Sequence, residues 1–148
     1  MNVADFLEPA EVAIDIVAGD KQELLDELAN RAGKVLGMPS DRILTQLLKR
    51  EDLGSTGLGG GIAIPHARLA QIGKPFGMLV RLRRPIDFDA VDEEPVDLVF
   101  LLLLPETPVG EQLGALACVA RKLRDPAIAA ALRGARDQAT IYRALVPA

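Results

Sequence analysis

Seven consecutive apolar residues, Leu98 to Leu104, lie between Asp97 and Pro105. The run is far shorter than the ~20 residues that cross a membrane. It is also too uniform for a strand with one wet face. It reads as a central strand covered on both sides, so the rest of the chain must supply two apolar layers. With 49% of 148 residues apolar, it can do so. That length suits a single domain with a sizeable core, here taken as residues 1–148.

The remaining pattern alternates strands with helices. Val12 to Val17 is β-branched and weakly alternating, which predicts a strand. Asp20 predicts a helix N-cap, and Glu23 completes a capping-box pattern. Leu24, Leu25, Leu28, Ala29, Ala32 and Leu36 then keep to one stripe until Gly37 and Pro39. Ser40 or Asp41 predicts the cap of a second helix through about Lys49. Residues 53–61 carry five glycines in nine positions, so no helix survives there. Ile62 to Ile64 read as a short extended piece, with Pro65 pushing Ile64 towards β geometry. Met78 to Arg83 alternates like a half-buried strand. Helical patterns follow from near Gly110 to Leu123, from Ala127 to Leu132, and from an Asp137 cap to about Leu145. The expected fold is an α/β layered domain. Short connections allow a mixed β-sheet, with helices on both faces.

Composition excludes several functions. One cysteine, Cys118, forms no internal disulfide, and one histidine, His66, leaves too few ligands for a His/Cys zinc site. A net charge of −4 is wrong for a dedicated nucleic-acid coat, and five aromatic residues give little for bases to stack on. The first residues lack a basic region followed by a long apolar run, so the expectation is a soluble, cytoplasmic protein with no membrane insertion. Charge is uneven. Residues 1–30 carry eight acids against one Lys, and residues 121–148 carry six bases against two acids. These read as two solvated faces of opposite sign.

The chemistry concentrates between Arg50 and His66. Glycines let backbone N–H groups converge on an anion. Ser55 and Thr56 add hydroxyl donors, and Arg50 adds a planar cation suited to phosphate. His66 adds a nitrogen nucleophile, mostly neutral near pH 7. A nucleophile beside oxyanion donors is the layout for phosphoryl transfer through a phosphohistidine. Spacing alone leaves blander readings open: an exposed or structural His66, turn residues at Ser55 and Thr56, and a solvated helix-end cation at Arg50. No Lys-Ser or Lys-Thr follows the glycines, and position 62 is Ile62, so neither nucleotide-binding glycine fingerprint fits.

The block from Arg50 through Gly54-Ser55-Thr56-Gly57-Leu58-Gly59-Gly60-Gly61-Ile62-Ala63-Ile64-Pro65-His66 resembles the signature of type-2 EIIA domains of the bacterial phosphoenolpyruvate-dependent phosphotransferase system (PTS). Within that family it is most similar to the nitrogen-related regulatory branch. Pro85 to Ala90, Pro95 to Asp97 and Leu101 to Pro105 support the resemblance, which spans roughly residues 5–146. It implies a mixed sheet flanked by helices, with no metal or organic cofactor. It implies His66 as phospho-acceptor, through Nε2. The phosphodonor would be HPr or its nitrogen-branch paralogue, fed by enzyme I and phosphoenolpyruvate. Arg50 matches the family's active-site arginine, and Ser55 and Thr56 match the pair near the phosphate.

Three departures qualify the match. Gly60 and Ala67 stand where many members have Asn and Gly, and Gln112 stands where many have a second active-site histidine. Glutamine can donate to a phosphoryl oxygen but cannot carry charge or shuttle a proton. No EIIB or EIIC segment accompanies the domain, which favours a free-standing role regulating partner proteins by phosphorylation state. The alternatives are a sugar-transport EIIA of the fructose or mannitol type serving a separate EIIB, and a binding module that takes no phosphate. Asp87 to Asp97 reads as a solvated turn, and Arg81, Arg83 and Arg84 as a wet strand face and a blunted strand end. Cys118 reads as a small buried hydrophobe, and Asp97 as the capped end of a strand.

Overall fold

A computed structural model describes residues 2–107, 110 and 114–147. Its centre is the expected apolar strand, β6 (Val96–Pro105). On one side β6 pairs antiparallel with β5 (Phe76–Ile86), which pairs parallel with β1 (Val12–Ile16). On the other side it pairs parallel, end to end, with β3 (Ile62–Ala63) and β4 (His66–Leu69). β2 (Gly57–Gly59) closes that edge as an antiparallel hairpin with β3. The sheet is mixed and has six strands.

Two layers of helices explain the uniform strand. Val99, Leu101 and Leu103 face α1 (Lys21–Leu36) and α2 (Ser40–Asp52), meeting Leu24, Leu28, Ile43 and Leu47. Leu98, Phe100, Leu102 and Leu104 face α3 (Ala115–Arg124), α4 (Pro126–Gly134) and α5 (Gln138–Leu145). The helices thus flank both faces, as the sequence predicts. Among the described residues no helix is long and apolar enough to cross a membrane.

Local signals set most helix ends. Asp20 accepts from Glu23 N at 2.9 Å, and Asp137 accepts from Thr140 N at 2.7 Å. Glu23 does not return to the N-cap itself: it accepts from Gly19 N at 2.7 Å, one residue upstream. α2 departs from expectation at both ends. Its N-cap is Pro39 rather than Ser40 or Asp41, and it runs three residues beyond Lys49 to Asp52. No breaker occurs before Gly54, so helical hydrogen bonding continues and carries Arg50 and Glu51 in the last turn.

Arg81 and Asp97 differ from the sequence reading, while the acidic turn keeps to it for its carboxylates. Arg81 is no simple wet-face residue. Its Nη1 donates to Leu132 O at 2.9 Å and Ala135 O at 2.6 Å, satisfying carbonyls that the end of α4 leaves unpaired. Asp97 holds Arg133 in an ion pair at 2.9 Å, tying β6 to α4. The acidic turn buries two residues, Phe88 and Ala90, while Asp87, Asp89 and Asp92 stay exposed. Cys118 is half-buried, as a helix-face residue packed beside the core.

Candidate functional site

Three segments converge on His66. Pro65 has no N–H for the ladder, so the strand alongside β6 breaks between β3 and β4. Pairing resumes at once: Pro65 O accepts from Leu102 N at 3.0 Å, and His66 lies opposite Leu102 in the middle of β6. The histidine backbone is therefore fixed by the most buried strand of the sheet. The sequence reading missed β4, which offers four residues with a single alternation.

The glycines serve the turn before it. Gly59, Gly60 and Gly61 all adopt positive φ, which builds the β2–β3 hairpin where only an extended piece was expected. Gly57 has a different reason. A Cβ there would lie 2.8 Å from that of Ala90, so its small size admits the 87–95 turn against the hairpin.

The ring is held from two sides. Nδ1 lies 2.8 Å from Ile64 O, an acceptor only, so Nδ1 carries the proton. Nε2 lies 3.2 Å from Arg50 Nε, a donor only, so Nε2 presents its lone pair. Arg50 Nη1 donates to Gly54 O at 2.8 Å, which steadies the guanidinium. The site thus selects one tautomer and one nucleophilic nitrogen.

Electrostatics keep that nitrogen free of a proton. Burial pushes the His66 pKa below its ordinary value of 6.5, and the Arg50 charge adds to the shift. The Ile64 hydrogen bond and the Glu51 charge oppose it without reversing it. His66 is the only histidine in the chain, so its imidazole resonances are unambiguous. Titration by nuclear magnetic resonance (NMR) is expected to give a midpoint below 6.5, with the Nδ1–H tautomer dominant above it. Linkage fixes the sign. The unfolded chain binds this proton at higher pH than the folded one, so this group's contribution to stability falls as pH drops from 6.5 to the folded midpoint. A midpoint above 6.5, or an Nε2–H tautomer, is the contrary result.

Ser55 and Thr56 lie in the loop joining Arg50 to the hairpin, but their hydroxyl hydrogens turn inward. Ser55 Oγ donates to Phe88 O at 2.8 Å and accepts from Gly57 N at 3.0 Å. Thr56, 3% exposed, donates both Oγ1–H and N–H to the Glu51 carboxylate. Gln112 lies outside the described residues. Sequence reasoning did not single out Glu51 or Lys21, whose ammonium lies 2.9 Å from that carboxylate. Lys21 carried no motif signal, and Glu51 lay within the Arg50-to-His66 block with no role of its own assigned, because 30 positions separate the two. No group of three or more His, Cys, Asp or Glu among the described residues is placed to hold a metal ion.

Known proteins share this architecture. Residues 5–146 match the family described as phosphoenolpyruvate-dependent sugar phosphotransferase system, EIIA 2. A nitrogen regulatory protein of Bradyrhizobium diazoefficiens is 44% identical, over 98% of this chain and 95% of its own length. One from Pseudomonas aeruginosa is 36% identical, over 99% and 96%. The crystal structure of nitrogen regulatory protein IIA-Ntr from Neisseria meningitidis superposes with a TM-score of 0.91 at 33% identity, covering 97% of this chain and 99% of that one. The chain therefore belongs to the EIIA type-2 family of the phosphoenolpyruvate-dependent phosphotransferase system, and it is similar to that family's nitrogen regulatory proteins.

Proposed function

We propose that the protein is a cytoplasmic phosphohistidine carrier of the nitrogen-related PTS. It accepts a phosphoryl group on His66 from HPr or its nitrogen-branch paralogue, and its phosphorylation state decides which regulatory partners bind. The observation that carries this reading is the clamped ring, with Nδ1 protonated towards Ile64 O and the Nε2 lone pair facing Arg50.

The step balances without a base. The Nε2 lone pair forms the new N–P bond as the donor's N–P bond breaks, and the donor imidazole leaves with that electron pair. The proton already on Nδ1 stays hydrogen-bonded to Ile64 O. Arg50 yields the lone pair to the incoming phosphorus and turns its guanidinium onto the phosphoryl oxygens, where negative charge accumulates. Ser55 and Thr56 contribute from the loop, and either hydroxyl must leave its present acceptor to reach a phosphoryl oxygen. Gln112 offers an amide donor without charge. The bound phosphoryl group adds negative charge and three acceptor oxygens at a half-buried rim, so a partner fitted to unmodified His66 meets repulsion and bulk.

Intact mass measured with enzyme I, the HPr-type carrier and phosphoenolpyruvate tests the reading. Gain of one acid-labile phosphoryl group by wild type, and none by His66→Ala, is the expected pair of results. No gain by wild type, with a carrier active on a control EIIA, overturns it.

A further inference from the structure

Lys21 and Glu51 form the most buried ion pair among the described residues, with side chains 19% and 5% exposed. Each charge sits at the wrong end of its helix. Lys21 opens α1, where the helix dipole favours anions, and Glu51 lies in the last turn of α2, where it favours cations. Taking both out of water costs free energy that their attraction need not recover. Helix stability therefore does not account for the pair.

Its contacts lead to the histidine. The Glu51 carboxylate accepts Lys21 Nζ at 2.9 Å, Thr56 N at 3.1 Å and the Thr56 hydroxyl. Thr56 O accepts from Ile64 N at 3.0 Å. Ile64 O in turn accepts from His66 Nδ1 at 2.8 Å. The path is continuous, and the Ile64 residue that binds Thr56 through its N–H also selects the tautomer of His66 through its carbonyl. Lys21 is itself fixed from below, with Nζ 4.6 Å from the centre of the Phe88 ring. Phe88 O also takes the Ser55 hydroxyl. Arg50 grips the imidazole from the front, and the Glu51 path holds it from behind.

We propose that the Lys21–Glu51 pair is a positioning element for His66, acting through Thr56 and Ile64; its kinetic consequence rests on the phosphotransfer reading above. The pair sets the angle of the ring and keeps the proton on Nδ1, so that Nε2 meets phosphorus in line. It touches neither the phosphoryl group nor the donor. Its loss lowers the rate of transfer within the docked complex and leaves docking itself intact.

Glu51→Gln and Thr56→Val test this by phosphorylation kinetics across carrier concentrations and by imidazole NMR. In Glu51→Gln the turnover rate is expected to fall about 10-fold, as for a displaced reacting group, with KM for the carrier unchanged. Imidazole NMR should also show the Nε2–H tautomer appearing in the folded variant, because the Ile64 carbonyl no longer holds the Nδ1 proton; losing the Glu51 charge alone lowers the midpoint without changing the tautomer. Thr56→Val keeps the ion pair and the Thr56 backbone bonds, and should show a smaller rate loss in the same direction. A wild-type rate in Glu51→Gln overturns the proposal, as does a rate loss in the folded variant with the Nδ1–H tautomer of His66 unchanged. Should Glu51→Gln fail to fold, Thr56→Val decides by its His66 tautomer, which the loss of a phosphate donor alone would not change, and a wild-type tautomer there overturns it. A wild-type protein that takes up no phosphoryl group overturns the phosphotransfer reading instead. The positioning proposal then stands or falls on the His66 tautomer.

Discussion

Arg50→Met is expected to slow phosphorylation of His66 by about 10²–10³-fold, the cost of removing one donor aimed at a developing oxyanion. The loss cannot come from protonating the nucleophile. Burial is the larger cause of the lowered His66 pKa and Arg50 adds to it, so the variant's midpoint rises from its lowered position. Even at 6.5, about three-quarters of the rings are neutral at pH 7, which limits that effect to less than about 1.5-fold. Nor can it come from unfolding. The lost bond to Gly54 O is exposed and is worth at most roughly 0.5–1.5 kcal/mol. What remains is the guanidinium itself, which orients the imidazole through Nε2 and, on the phosphotransfer reading, stabilises the phosphoryl oxygens. Arg50→Lys should recover only part of the rate, since an ammonium lacks the two-pronged donor geometry. Rapid-quench kinetics beside an imidazole titration separates these contributions. A rate within about three-fold of wild type would remove Arg50 from the chemistry and leave it a mere orienter of the ring.

What the sequence made legible was local or long. Asp20 and Asp137 cap their helices through side-chain geometry that spans three residues, so the signal lies wholly in the string. β6 was legible because only a strand buried on both faces tolerates seven apolar residues in succession. The Arg50-to-His66 block marked the candidate site, and the fold brings those two side chains within 3.2 Å. What stayed hidden depends on distant partners. β4 shows no strand pattern of its own, and forms because β6 offers its edge beside Pro65. Arg81 looks like any exposed arginine until α4 ends beside it, 51 positions later. Ser55 and Thr56 read as free phosphate donors, because the Phe88 carbonyl and the Glu51 carboxylate that take their hydrogens are placed by tertiary contact. The same limit hid Lys21, whose position against its own helix dipole is intelligible only once Glu51 lies across from it.

Phe100→Ala is expected to cost about 3–5 kcal/mol, lowering Tm by roughly 10 °C for a chain of this size. Phe100 is fully buried in the middle of β6, on the face covered by α3 to α5. Its ring meets Phe6 edge-on, with centres 6.2 Å apart and planes at 82°. The same ring explains a glycine. A Cβ on Gly77 would lie 2.8 Å from two Phe100 ring atoms and 3.1 Å from the Phe6 ring, so Gly77→Ala alone destabilises through overpacking. The two changes should not add. With the Phe100 ring gone, the methyl of Gly77→Ala enters the vacated space, and its penalty should vanish or change sign. Thermal unfolding of the four proteins in the cycle reads this directly. Additive costs would mean that β5 and the Phe6 turn shift to fill the cavity, and that the ring does not dictate the glycine. The His66 titration should be unmoved in all four below their transitions, because the Arg50 and Ile64 carbonyl hydrogen bonds that hold the imidazole involve neither ring. A shifted titration in Phe100→Ala would show instead that packing beneath β6 reaches the nucleophile, and the rigid strand behind His66 would no longer be what isolates its chemistry from the core.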